Sequence, residues 1–299
     1  MFFIANHPIY NHPLPEGHRF PMLKYELLPK QLLHEGTAEC TDFYSPDSID
    51  LSLVHAVHTV SYVKALTELT LDAKAVRSIG FPLSAALVER ELRIAQGTVV
   101  GCNHALEHGI AFNIAGGTHH AFSDRGEAFC LLNDQAIAAQ YLINQKKCHK
   151  ILIVDLDVHQ GNGTAEIFQN NADVITFSMH GQSNYPFRKE ISDYDIPLPD
   201  KTDDTTYLSI LQETLPELLN IHRPDFVFYL AGVDILGTDK LGKLGCTLEG
   251  CKTRDSYVLG LCKSLGIPVQ VSMGGGYSPA IKTIIEAHAN TYRVARALY

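Results

Sequence analysis

The chain has 299 residues, 45% of them hydrophobic and 19% charged, and at this size it buries roughly 75% of the surface its unfolded form exposes. A formal charge of −9 excludes a general binder of nucleic-acid backbones, and no run of about eighteen apolar residues offers a membrane span. The same charge is compatible with basic partners such as lysine-rich peptides. Seven scattered cysteines without a C-x-x-C pair, and an N-terminus without a basic and apolar leader pattern, predict a reduced, cytoplasmic protein.

Residues 2–5 predict a short first strand, followed by a loop dense in His and Pro in which His18-Arg19 alone suggests function. Pro21 suits the first turn of a helix running to about Leu33. Residues 54–69 and 84–95 have helical apolar spacing, with Ser84 as an N-cap and their charged residues on solvated faces. Residues 109–115 form an apolar strand that opens into G-G-T-H-H-A-F, residues 116–122. A histidine pair alone says little, but the preceding glycines let backbone approach a site closely. An amphipathic helix is expected over 132–145, starting near Asn133 or Asp134.

Residues 151–164, I-L-I-V-D-L-D-V-H-Q-G-N-G-T, organise the rest. A buried-type strand ends in two carboxylates and a histidine spaced by two. If the extended backbone continues, Asp155, Asp157 and His159 share one face. A single acid at a strand end often caps a turn. Three titratable groups together repel or need a cation, so the pattern predicts a metal site awaiting a third ligand. A short helix is expected over 164–168, a strand over 173–178, and a long polar and aromatic loop over 181–200; loops of that length are uncommon unless functional. A helix over 203–219 precedes the strand 226–231, which ends in G-V-D and supplies Asp234 as the candidate third ligand. A helix over 248–265, a strand over 269–272, the run M-G-G-G-Y and a helix from Pro279 complete the chain.

The strand–loop–helix rhythm continues without a linker or repeat and predicts one α/β domain over 1–299 with a mainly parallel sheet between helical layers. The polar clusters at 119–120, 155–162, 234 and 274–277 each follow a strand, and parallel strands gather such ends on one edge.

In this arrangement the sequence resembles the zinc-dependent histone deacetylase family, of the arginase/deacetylase fold. The resemblance rests on G-G-T-H-H at 116–120, F-C-L-L-N-D at 129–134, D-L-D-V-H-Q-G-N-G-T at 155–164, A-G-V-D at 231–234 and G-G-G-Y at 274–277, in family order. The H-R-F-P-M-x-K-Y opening and the I-G-F-P-x-S and A-G-G-T-H-H-A-F segments look most like the class IV branch.

The resemblance implies that Asp157, His159 and Asp234 bind zinc, with a position open for water and substrate; N and O ligands also admit iron(II) or cobalt. It implies His120 as general base, His119 as electrostatic helper or proton donor, Asp155 as the partner orienting His119, and Tyr277 as oxyanion stabiliser. Asn162 stands where many members carry Asp beside His120, which implies a less basic imidazole and a shifted pH optimum. Phe129 and Tyr185 resemble the aromatic walls around the lysine methylenes. Gly275 lies in the glycine run that brings backbone and Tyr277 to the substrate. Ser178, with the region of Asp155 and Asp157, resembles a structural potassium site. The expected activity is metal-dependent hydrolysis of Nε-acyl-lysine in a protein or peptide, acetyl or longer. The rivals are an acetylpolyamine or other small-molecule amidohydrolase of the same fold, and a non-catalytic acyl-lysine binding module. Oligomeric state is not readable.

Overall fold

The structure is a computed structural model describing residues 2–299. Among these, eight strands form one wholly parallel sheet: β1 Ile4–Ala5, β2 Phe43–Tyr44, β3 Ile110–Asn113, β4 Ile151–Asp155, β5 Val174–Gly181, β6 Tyr194–Leu198, β7 Phe226–Leu230 and β8 Val269–Ser272. Their order is β2-β1-β3-β8-β7-β4-β5-β6. The helices are α1 Lys24–His34, α2 Leu51–Val54, α3 Val60–Thr67, α4 Ala73–Ile79, α5 Ala85–His108, α6 Asp134–Asn144, α7 Asn162–Phe168, α8 Asp204–His222, α9 Leu248–Leu265 and α10 Ile281–Leu298.

The central strands β4 and β7 are near-continuous apolar runs because both faces are covered. Every residue of β4, β7 and β8 is buried. On β3, Phe112 stacks on Tyr292 of α10 at 4.5 Å, whereas the next side chain, Asn113, donates to Ile94 O and Thr98 Oγ1 of α5. Successive side chains thus serve opposite faces. Helices α5 and α6 pack together over one of them, and α1, α8, α9 and α10 form a packed group over the other. The expected single-domain three-layer arrangement is what the chain adopts.

Local expectations fared unevenly. Ser84 caps α5 and Asn133 caps α6, each accepting a backbone N–H at 3.1 Å. The helix expected over 54–69 is instead α2 and α3, separated by a turn. There His58 is buried: its Nδ1 bonds Phe122 O at 2.8 Å and its Nε2 accepts from Asn133 N at 3.0 Å. Burial lowers its pKa to about 4, as a neutral two-sided bridge requires. Helix α5 runs on to His108, and α4 and the two-residue β2 lie where the sequence reading marked no element. The segment read as a loop over 181–200 contains β6. This half-exposed edge strand carries Pro197, a residue tolerated only at an edge.

Candidate active site

Strands β3, β8, β7 and β4 are neighbours in the sheet, so their carboxyl ends converge, and each contributes one segment of the site. The extended backbone of β4 stops at Asp155 and bends through 157–159, correcting the expectation of a continued strand with three side chains on one face. The carboxylates themselves hold the bend. Asp155 Oδ1 accepts from Asp157 N at 3.1 Å, and Asp157 Oδ1 from His159 N at 3.0 Å. Asp155 is thereby turned toward His119, while Asp157 and His159 meet Asp234. Turn-capping and site-building are the same act here.

Asp157, His159 and Asp234 offer ligand atoms within 4.8 Å of one another, all buried. His159 Nδ1 lies 3.0 Å from Asp157 Oδ1 and 3.2 Å from Asp234 Oδ2. The second contact lacks hydrogen-bond geometry, leaving Asp234 Oδ2 a buried oxygen without a hydrogen bond. Burial, then the charge of Asp157, pushes the Asp234 carboxyl up. Two converging carboxylates and an orphaned oxygen fit a divalent cation, the charge that would relieve the repulsion. Their outer oxygens are fixed by backbone. Asp157 Oδ2 accepts from Gly275 N at 2.7 Å, and Asp234 Oδ1 from Val158 N at 3.0 Å. A Cβ at Gly275 would stand 1.9 Å from Asp234 Oδ2, so only glycine fits there. The Gly275 carbonyl also accepts from Val233 N at 2.9 Å, which engages both backbone groups in supporting the ligands.

The histidine pair sits on the loop after β3. Asp134, at the start of α6, anchors that loop by accepting from Gly117 N, Thr118 N and Thr118 Oγ1 at 2.8–2.9 Å. The two imidazole centroids are 4.1 Å apart. His119 Nδ1 bonds Asp155 Oδ2, and His120 Nδ1 bonds Asn162 Oδ1, both at 2.6 Å. Asn162 is the first residue of α7, which starts two residues earlier than the helix expected over 164–168. Burial opposes charge on both rings, but the Asp155 carboxylate outweighs it for His119, whose pKa is raised. His120 has no such partner. Burial, followed by the charges of His119 and His159, holds its pKa well below the usual value. With Nδ1–H donated to Asn162, its Nε2 is a free acceptor.

A cavity of about 560 Å³ joins these groups to solvent. Phe129, Tyr185 and Tyr277 form aromatic walls, and the buried end reaches Tyr25, Arg90 and Ala115. Tyr185 meets the His120 ring edge-on at 5.0 Å and its hydroxyl donates to Glu127 at 2.6 Å. Phe129 has φ +72°, a left-handed conformation held by Phe129 N donating to Ile79 O, with its ring against Gly80. Tyr277 is positioned by its backbone N–H on Asp239 Oδ2 at 2.6 Å.

Several supporting roles are not visible in the sequence. Lys24 is fully buried; its Nζ donates to Gly274 O at 3.1 Å and lies 5.2–5.6 Å from the ring centroids of Phe20, Tyr25 and Tyr277. Arg254 of α9, also buried, donates to Gly232 O and Leu156 O and so ties together the ends of β7 and β4. A cation inside an otherwise packed helix was the available signal, and it names no partner. The hydroxyl of Ser178 is paired with His180 Nδ1 at 3.0 Å, which leaves the potassium site to the resemblance alone.

An uncharacterised protein of Picosynechococcus sp. is 46% identical over 298 residues, covering 100% of this chain and 99% of its own. Histone deacetylase 2 of Arabidopsis thaliana is 28% identical over 279 residues, covering 90% of this chain and 72% of its own. The fold is shared with the crystal structure of an HDAC homologue from Aquifex aeolicus, at TM-score 0.84 and 22% identity, over 98% of this chain and 83% of that one. The HDA15 HD domain matches at TM-score 0.84 and 22% identity, over 99% and 88%. The histone deacetylase domain profile matches residues 18–292, nearly the whole chain, and the chain therefore belongs to the histone deacetylase family.

Proposed function

We propose that the protein hydrolyses the amide of Nε-acyl-lysine in peptides or proteins, using a divalent cation, zinc or iron(II), held by Asp157, His159 and Asp234. The observation that carries this reading is the unlike histidine pair beside that ligand set: one imidazole Nδ1 bonded to the Asp155 carboxylate, its neighbour's to the Asn162 amide oxygen, both rings lining one cavity. The cation supplies Lewis acidity at the acyl carbonyl. His120 Nε2 takes the proton of the attacking water and returns it to the departing lysine amine. Asn162 fixes its tautomer, and Asp155 holds His119 as a neighbouring positive charge for the developing oxyanion. The Tyr277 phenol donates to the same oxygen. Phe129 and Tyr185 enclose the lysine methylenes and exclude water.

The buried side chains of Tyr25 and Arg90 also line the cavity of about 560 Å³, and acyl groups longer than acetyl belong to the proposal. Lys24 gives the H-R-F-P-M-x-K-Y motif a place beside Tyr277, which supports the class IV assignment. All seven cysteines are free, in keeping with a cytoplasmic location. The test offers the zinc-loaded protein acyl-lysine peptides from acetyl to myristoyl beside acetylated polyamines. Turnover of peptides, abolished in His120→Ala, is expected. Hydrolysis of polyamines alone would overturn the substrate, and no turnover by wild type would leave a binding module.

A further inference from the structure

The cavity mouth carries a charge opposite to that of the whole chain. The chain is at −9, yet among the described residues the only carboxylate lining the cavity is the buried Asp157, while the exposed ionisable side chains on it are Arg19 and Lys243. Among the described residues Arg19 makes no ion pair or hydrogen bond. Its guanidinium carbon lies 5.0 Å above the ring of Phe129, one wall of the channel. Lys243 Nζ donates to Ser183 O and Oγ at 3.1 Å, and the nearest carboxylate on that path, Asp200, is reached only through the Ser183 hydroxyl. Glu127, behind Tyr185, is already shared between the Tyr185 hydroxyl at 2.6 Å and Arg125 Nε at 2.9 Å. The exposed charge lining the mouth is therefore positive, carried by Arg19 on the wall residue Phe129 and by Lys243.

A lysine side chain gripped by Phe129 brings its flanking residues beside the guanidinium stacked on that ring. Charges there lie within one Debye length, about 8–10 Å, of Arg19 and feel it directly. We propose that Arg19, assisted by Lys243, is a specificity-determining residue selecting acyl-lysines flanked by carboxylates and disfavouring polycationic substrates, lysine-rich tails and acetylated polyamines alike. The inference rests on the deacylase reading of the same site. It reverses the expectation of basic partners drawn from net charge, because the local field at the mouth, not the total, acts on the substrate.

The experiment compares two peptides that differ only in the flanks of one acyl-lysine, Asp-Asp against Lys-Lys. Expected is a kcat/KM about tenfold higher for the acidic peptide at low ionic strength, shrinking toward parity near 1 M salt. Arg19→Glu should abolish or invert the ratio, Arg19→Gln should lower it, and Lys243→Gln should change it less. A ratio measured on one preparation does not depend on its folded fraction. Binding of both peptides to His120→Ala by fluorescence anisotropy reads the mouth without hydrolysis. Acidic preference in binding without turnover by wild type would remove the deacylase reading and keep the mouth. Equal kcat/KM for the two peptides, a preference unchanged in Arg19→Glu, or binding of neither peptide would overturn the proposal.

Discussion

His119 and His120 form a paired comparison inside one molecule. Both are 5% exposed, and each Nδ1 is bonded at 2.6 Å, one to a carboxylate and the other to an amide. Asn162→Asp gives His120 the kind of partner His119 already has. A unit charge near 4 Å contributes about 4 kcal/mol at an effective dielectric near 20, or up to ~3 pKa units at 1.36 kcal/mol each. Desolvation of the new carboxylate opposes part of this, so a net rise of about 1–2 units is expected. The base must be neutral to act, so activity rises with pH through the His120 pKa. Raising that pKa moves the acid limb of kcat/KM to higher pH, and the variant loses most ground at the acid end of the profile. Profiles from pH 5 to 9 on one acyl-lysine peptide read the shift. An acid limb that stays in place, in a variant with wild-type melting and metal content, would refute the reasoning.

Other consequences follow from the same geometry. Gly275→Ala places a Cβ 1.9 Å from Asp234 Oδ2 and 2.8 Å from Asp157 Oδ2, so it should lose metal on elemental analysis; full occupancy would contradict the cradle. Tyr277→Phe should lower kcat by about 10²–10³ with little change in melting temperature, and a smaller loss would remove the phenol from the oxyanion. Away from the site, Glu35 ties α1 to α10 by accepting from Arg293 Nε and Nη2 at 3.0 and 2.6 Å. Partial burial works to raise its pKa, but hydrogen bonds from Arg293, Thr37 and Gln31 outweigh this and bring it down to about 2. A depressed carboxyl stabilises the fold above its unfolded value, about 4.3, and loses that contribution as pH falls toward 2. Glu35→Gln should therefore cost about 1 kcal/mol at pH 7, discounted for partial exposure, with the gap to wild type closing between about pH 4.5 and 2. A gap independent of pH would exclude the ion pair as its source.

What the sequence disclosed was governed by how local each determinant is. Strands β4 and β7 were legible because burial on both faces makes them near-continuous apolar runs, and site residues follow immediately at their ends. Strand β6 was hidden because Asp195 and Pro197 interrupt the run at an exposed edge. The break between α2 and α3 is set by His58 bonding Phe122 and Asn133, contacts no apolar period records. Lys24 and Gly274 are 250 residues apart in the chain, and Arg254 acts on carbonyls of two other segments. Such roles exist only once the sheet has closed.

Metal content tests the central claim most directly. Purified wild type, reconstituted with zinc and desalted, should hold close to one ion per chain by elemental analysis. Asp234→Ala should hold almost none, and Tyr277→Phe should match wild type. Equal content in wild type and Asp234→Ala, with both folded, would contradict the claim that Asp157, His159 and Asp234 together hold the ion.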